Sequence, residues 1–139
     1  MNSLLSLYNS TVALHERFNT NQTVQQSLNR FTEEYNEVLD AVTKGDLENV
    51  KEEFVDCLVT AVGVFHSMSK SDSNYNNFQA LFVMLKGFQE LYLVIRKAGV
   101  TSEMLETPIN KVISKNDAKT LETHELNSTT GKITRKVIQ

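Results

Sequence analysis

Apolar residues recur every three or four positions through most of this chain, the spacing of one face of an α-helix. Leu4, Leu5, Tyr8, Val12, Leu14 and Phe18 mark a first helix over about residues 2–18, and the polar run NTNQT follows as a loop. A second helix, about 24–43, carries Leu28, Phe31, Tyr35, Val38, Leu39 and Val42 on one arc. It stops at Lys44-Gly45, with glycine just past the helix end, where left-handed backbone is easiest. Asp46 is then the N-cap of a third helix, about 47–68, with the stripe Val50, Phe54, Cys57, Leu58, Ala61 and Phe65.

SKSDSN makes a second loop. The fourth helix, about 75–97, steps through Phe78, Leu81, Phe82, Leu85, Phe88, Leu91, Tyr92 and Ile95. Ala98-Gly99 closes it. A capped segment begins near Thr101, and Thr107-Pro108 reads as an N-cap followed by proline at the first position of a last helix, which runs to about Lys119. In THELNSTTGKITRKVI a glycine turn separates two short β-prone runs, a weak hairpin or an extended arm.

One proline and five glycines leave few breaks, so long helices joined by short loops are expected. The pattern predicts an all-α antiparallel bundle of four to five helices with a short C-terminal hairpin or arm. The 139 residues form a single domain, with the arm from about 120 onward. A chain of this length buries a core without a disulfide or metal staple. No internal repeat or low-complexity segment interrupts it.

A formal charge of −3 argues against general nucleic-acid binding, which requires a basic face. The single cysteine, Cys57, excludes a disulfide framework, and its apolar surroundings in VDCLVTAVGVF favour a buried thiol over a nucleophile. The N-terminus lacks the basic and continuous apolar regions of a signal peptide, and no apolar run reads as a bilayer span. A cytoplasmic protein without a membrane partner is expected, and the sequons at Asn9, Asn21 and Asn127 are then chance matches.

The charged positions carry the chemistry. On the second helix Glu34 and Glu37 fall at one edge of the apolar arc, and Glu33 lies further round toward solvent. On the third helix Glu53 and Asp56 hold the same edge position. Both pairs are spaced i, i+3, so each pair points one way from its helix. The short Lys44-Gly45-Asp46 connection makes the two helices antiparallel neighbours, which brings the four carboxylates together at the rim of the core. Four partly desolvated carboxylates cannot all stay ionised without a compensating charge, and no arginine cluster lies nearby to supply it. A hard divalent cation, magnesium or manganese, suits an all-oxygen ligand set. The alternative is a solvated acidic face.

Other chemistries find no support. No Glu-x-x-His pair of a di-iron bundle occurs, nor a P-loop, a dinucleotide-binding glycine motif, His-Glu-x-x-His or a nucleophile elbow. TTGK at residues 129–132 lacks the flanking residues of a P-loop and reads as a turn. His15, His66 and His124 have no partner at metal-ligand spacing and read as packing or surface residues. Lys132, Arg135 and Lys136 form either a basic arm over a substrate or a solvated terminus.

Glu33-Glu34-x-x-Glu37 followed by Glu53-x-x-Asp56 resembles the signature of the all-α nucleoside triphosphate pyrophosphohydrolases. That superfamily includes MazG proteins, dimeric dUTPases and phosphoribosyl-ATP pyrophosphohydrolase. LHERF at 14–18 is similar to the family's N-terminal helix, and INKVISKNDAK at 109–119 to its final helix, which ends in Asn-x-x-Lys. The likeness covers about residues 10–120 and is greatest to the MazG-like and phosphoribosyl-ATP pyrophosphohydrolase-like branch. About 25 extra residues between Asp56 and the Asn-x-x-Lys motif depart from the compact members.

The resemblance implies magnesium bound by Glu34, Glu37, Glu53 and Asp56, with Glu33 orienting or deprotonating the attacking water or helping to hold a further ion. Asn116 and Lys119 contact phosphate or sugar by the same implication, although a lysine at a helix C-terminus also complements the helix dipole. The implied reaction cleaves the α–β phosphoanhydride of a nucleoside triphosphate to the monophosphate and pyrophosphate. A dUTPase or phosphoribosyl-ATP activity on the same fold is an alternative, as is a non-catalytic helical interaction protein. The family is characteristically dimeric or tetrameric, and the apolar faces of the first and fourth helices fit a homo-oligomer.

Overall fold

The computed structural model describes residues 3–137. It is a helical bundle of five α-helices: α1 (Ser3–Arg17), α2 (Val24–Lys44), α3 (Leu47–Ser69), α4 (Asn74–Lys97) and α5 (Glu106–Ala118). A 3-10 turn, Glu103–Leu105, leads into α5, and strands β1 (His124–Leu126) and β2 (Ile133–Arg135) close the chain. The strands form an antiparallel hairpin in which Glu125 faces Thr134, so the C-terminal segment is a hairpin and not an extended arm.

Local chemistry fixes the ends of the central helix pair. The Thr23 hydroxyl accepts from the Gln26 amide while the Gln26 side chain accepts from the Thr23 amide, a reciprocal cap on α2. Gly45 ends that helix at φ 70°, and Asp46 caps α3 by accepting from the Asn49 amide. The two-residue connection, Gly45-Asp46, sets α2 and α3 side by side and antiparallel as the bundle's centre. Helix α4 covers this pair mainly through α2, while α1 and α5 pack against each other on the α3 side.

Because α3 is central, it is buried nearly all round: Val55 and Val64 are as inaccessible as Val50 and Cys57, and Val62 is buried as well. Phe65, expected on its core stripe, instead reaches solvent. Helix α1 also presents a different face from the one its large residues mark. Leu7, Thr11, Leu14 and Phe18 are buried against α5 and α3, whereas Leu4, Leu5 and Tyr8 are exposed. The buried Thr11 hydroxyl donates to the Leu7 carbonyl at 2.8 Å, which satisfies it inside the helix.

The correction is largest in α4. Its inward row is Ala80, Met84, Gly87, Leu91 and Ile95, while Phe78, Phe82, Leu85 and Tyr92 of the predicted stripe are exposed. Small residues win that face because α2 comes close. A Cβ on Gly87 would stand 3.2 Å from the Phe31 ring. The bulkier residues are turned outward, and Tyr75, Phe78 and Phe82 are 77%, 61% and 67% exposed. Although no apolar run in the sequence reads as a bilayer span, α4 is by length and composition alone long and apolar enough for one. Its packed face and the hydrogen bond from the Tyr35 hydroxyl to mid-helix Glu90 tie it to α2. Thr107 and Pro108 lie inside the first turn of α5 and not at its N-cap. The cap position is Leu105, entered from the preceding 3-10 turn, and it makes no side-chain cap bond.

Candidate metal centre and adjoining cavity

Glu34 and Glu37 on α2 meet Glu53 on α3, and one carboxylate oxygen from each lies within 4.8 Å of the other two. The Gly45 turn sets the register that pairs them across the interhelical seam. Glu34 and Glu53 are half-buried and Glu37 is exposed. Asp56 stands one turn further along α3, outside the tight triplet but close enough for its charge to act on Glu34 and Glu53. Glu33 is exposed on α2, next to the cluster but not within it.

No cation neutralises the triplet. Among the described residues the one ion pair is Lys51–Glu48 at 2.8 Å, near the start of α3, and it engages none of the triplet. Glu34 Oε2 and Glu53 Oε2 are buried and accept no hydrogen bond. The proton affinities record this. Burial, then the negative charges of Glu37 and Asp56, push the Glu34 carboxyl up to about 7. Burial, then contact with Glu37 and the charges of Asp56 and Glu34, push Glu53 up to about 8. Asp56 keeps an open side but is crowded by protein, and it is raised as well by partial desolvation, then Glu37 and Glu52, with Lys115 opposing. An oxygen-rich pocket with two orphaned buried carboxylate oxygens fits a hard divalent cation. It does not fit a zinc site, which would draw on the nitrogen or sulfur ligands missing here.

A cavity of about 270 Å³ opens one helical turn away, between α1, α2, α3, α5 and the hairpin. Arg30 precedes Glu34 by one turn of α2, and Thr60 follows Asp56 by one turn of α3; both line it. Glu37 and Arg30, like Glu53 and Thr60, stand seven positions apart, so these carboxylates and the near wall of the cavity lie roughly 10 Å apart along the helices at about 1.5 Å per residue. Asn116 and Lys119, at the end of α5, also line the cavity and so lie apart from the carboxylates. Asn116 is buried, with its side-chain amide directed at the Thr11 hydroxyl 3.5 Å away. Arg17 anchors this helix end by donating to the carbonyls of Asn116 and Lys119 at 3.2 and 2.8 Å. Burial, with Lys115 nearby, lowers the proton affinity of Lys119.

Two histidines that read as packing residues face the same space. The His15 and His66 rings stack with centroids 5.0 Å apart and an interplanar angle of 16°. His15 Nδ1 bonds the buried Thr20 hydroxyl at 2.8 Å. Burial, then His66, Arg30 and Lys70, push the His15 imidazole down to about 4, so it is neutral at physiological pH. Hydroxyls on otherwise apolar helix faces are the signal in the sequence for such a cavity: Thr11, Ser27, Thr60 and Ser67 all line it. Ser27 and Ser67 bond each other across the α2–α3 seam at 2.6 Å.

The MazG nucleotide pyrophosphohydrolase domain model matches residues 22–86, which span α2, α3 and the first half of α4 and contain all four carboxylates. Neither a curated protein nor a solved structure matches the chain. With the all-α fold and the carboxylates inside the matched segment, this match supports the MazG-like pyrophosphohydrolase superfamily.

Proposed function

We propose that the protein is a magnesium-dependent nucleoside triphosphate pyrophosphohydrolase, with manganese as a possible substitute, releasing the nucleoside monophosphate and pyrophosphate. The observation that carries the reading is the pair of buried, unpartnered oxygens on Glu34 and Glu53 within a carboxylate cluster that adjoins a nucleotide-sized cavity. Glu34, Glu37, Glu53 and Asp56 hold the metal, which when bound neutralises triphosphate charge and polarises a phosphoryl oxygen. Glu33, exposed beside the cluster, orients the attacking water and takes its proton. Asn116 and Lys119 bind the sugar or nearest phosphate from the cavity side. The separation of roughly 10 Å along the helices supports the scissile anhydride at the carboxylates and the remainder of the nucleotide reaching into the cavity.

Pyrophosphate release measured across the common nucleoside triphosphates and their deaminated forms tests this. Glu34→Ala, Glu37→Ala, Glu53→Ala and Asp56→Ala are each expected to lose most turnover, while Asp40→Ala, exposed on α2, keeps it. Near-wild-type rates in any two of the four refute the assignment.

The same reading includes assembly. The outward aromatic face of α4 is a large apolar surface for one small domain, and a second copy of the chain covers it in a dimer or dimer of dimers. Light scattering at micromolar concentration is expected to give a multiple of 15.8 kDa, and Phe82→Glu to reduce it. A wild-type mass of one chain with full activity refutes the assembly.

A further inference from the structure

The C-terminal hairpin is usually the first part of a small domain to be dismissed as a solvated end, yet here it forms one wall of the cavity. Gly131, Lys132, Ile133 and Thr134 all line that space. The turn that presents them is held internally. The Gly131 amide donates to the Asn127 carbonyl at 2.7 Å, and the Asn127 amide donates to the Lys132 carbonyl at 2.8 Å. The Asn127 side-chain oxygen accepts from the amides of Thr129 and Thr130 at 2.9 and 3.1 Å. Gly131 is buried, sits at φ 72° and lies so close against the end of the Gln22 side chain that a Cβ would force that side chain to move. The turn therefore packs against the α1–α2 loop at Gln22.

Charge gives the docked turn a purpose. Three cations line the cavity, Arg30 from α2, Lys119 from α5 and Lys132 from the hairpin, and no carboxylate does so among the described residues. This occurs in a chain of net charge −3, one helical turn from its densest acidic cluster. His15 and His66 add no negative charge. Positive groups drawn from three separate elements around one cavity call for an anionic occupant. A phosphate group suits them, because lysine and arginine both donate charge-assisted hydrogen bonds to its oxygens.

We propose that Lys132 is a substrate-binding residue and that the hairpin is a built part of the nucleotide site, with the Lys132 ammonium on the phosphate chain opposite Arg30 and Lys119. This rests on the pyrophosphohydrolase reading and extends it to an element outside the matched segment 22–86. The hairpin thus sets how tightly the nucleotide is held, and the carboxylates set whether it is cleaved.

The test measures binding of a non-hydrolysable α,β-methylene nucleoside triphosphate with magnesium, alongside steady-state kinetics, for wild type, Lys132→Ala, Lys132→Arg and Lys136→Ala. Lys132→Ala is expected to weaken analogue binding and raise KM by about tenfold, the low end for a charge-assisted hydrogen bond, with kcat within about twofold. Lys132→Arg restores most of the affinity, and Lys136→Ala, exposed beyond β2, matches wild type. Wild-type affinity in Lys132→Ala overturns the role of the hairpin while leaving the pyrophosphohydrolase reading intact. A wild-type protein that neither binds the analogue nor releases pyrophosphate overturns both.

Discussion

Without a divalent cation the stability of this protein should fall as pH rises, and the carboxylate cluster gives the size of the effect. Glu34 and Glu53 titrate near 7 and 8 in the folded chain, against 4.5 when unperturbed. Folded-state values raised above the unfolded ones mean that the native state keeps protons the unfolded chain has lost. Stability from these groups is therefore lost as pH climbs from about 4.5 to 8. His15 works in the opposite sense, gaining stability between about 4 and 6.5, and that gain is complete before the window of interest.

Between pH 6.5 and 8.5 the two carboxyls together would cost about 3 kcal/mol at 1.36 kcal/mol per unit. They share one repulsion and are partly open to water, so we take about 1.5 kcal/mol. For a domain of this size that is about 5 °C in Tm. Thermal melts in EDTA should show this decline, and millimolar magnesium should abolish it by binding the ionised cluster. Glu53→Gln should melt higher than wild type in EDTA at pH 8.5 and lose most of the magnesium shift. A wild-type Tm that is flat or rising over this window in EDTA, with no response to magnesium, would refute the reasoning.

Ser67→Ala should cost about 1–2 kcal/mol by stranding the buried Ser27 hydroxyl, and the Ser27→Ala/Ser67→Ala double variant should recover part of that; additive losses in denaturant titrations would contradict a direct bond. Gly131→Ala should destabilise by about 1–2 kcal/mol through its left-handed backbone alone. Adding Gln22→Ala should relieve only the steric remainder, as read by Tm. Cys57 is fully buried, and burial followed by the charges of Glu34 and Asp56 pushes its thiol up to about 12. It should ignore a disulfide reagent in the native state and react promptly in denaturant.

The α2–α3 hairpin was legible residue by residue, because its signals are local: the Gly45 stop, the Asp46 cap and carboxylates at i, i+3 beside an apolar arc. The helices followed from the same spacing rules, while the C-terminal segment read as either a weak hairpin or an extended arm. What periodicity could not assign was which apolar face meets the core. Helices α1 and α4 each carry two such faces, and the choice depends on partners distant in sequence. Gly87 and Ala80 allow α2 to approach, and that turns Phe78 and Phe82 outward. The acidic cluster was readable since each half lies within four residues on one helix. The cavity was not, because Arg30, His15, His66 and Lys132 come from four elements and share no spacing. Only misplaced hydroxyls such as Thr11 and Ser67 hinted at it.

Phosphorus NMR of a nucleoside triphosphate incubated with the protein and magnesium reports which anhydride bond is cleaved. The account predicts paired signals of nucleoside monophosphate and pyrophosphate, absent with EDTA and with Glu53→Gln. Formation of nucleoside diphosphate and inorganic phosphate, or unchanged triphosphate with every base tried, would contradict it.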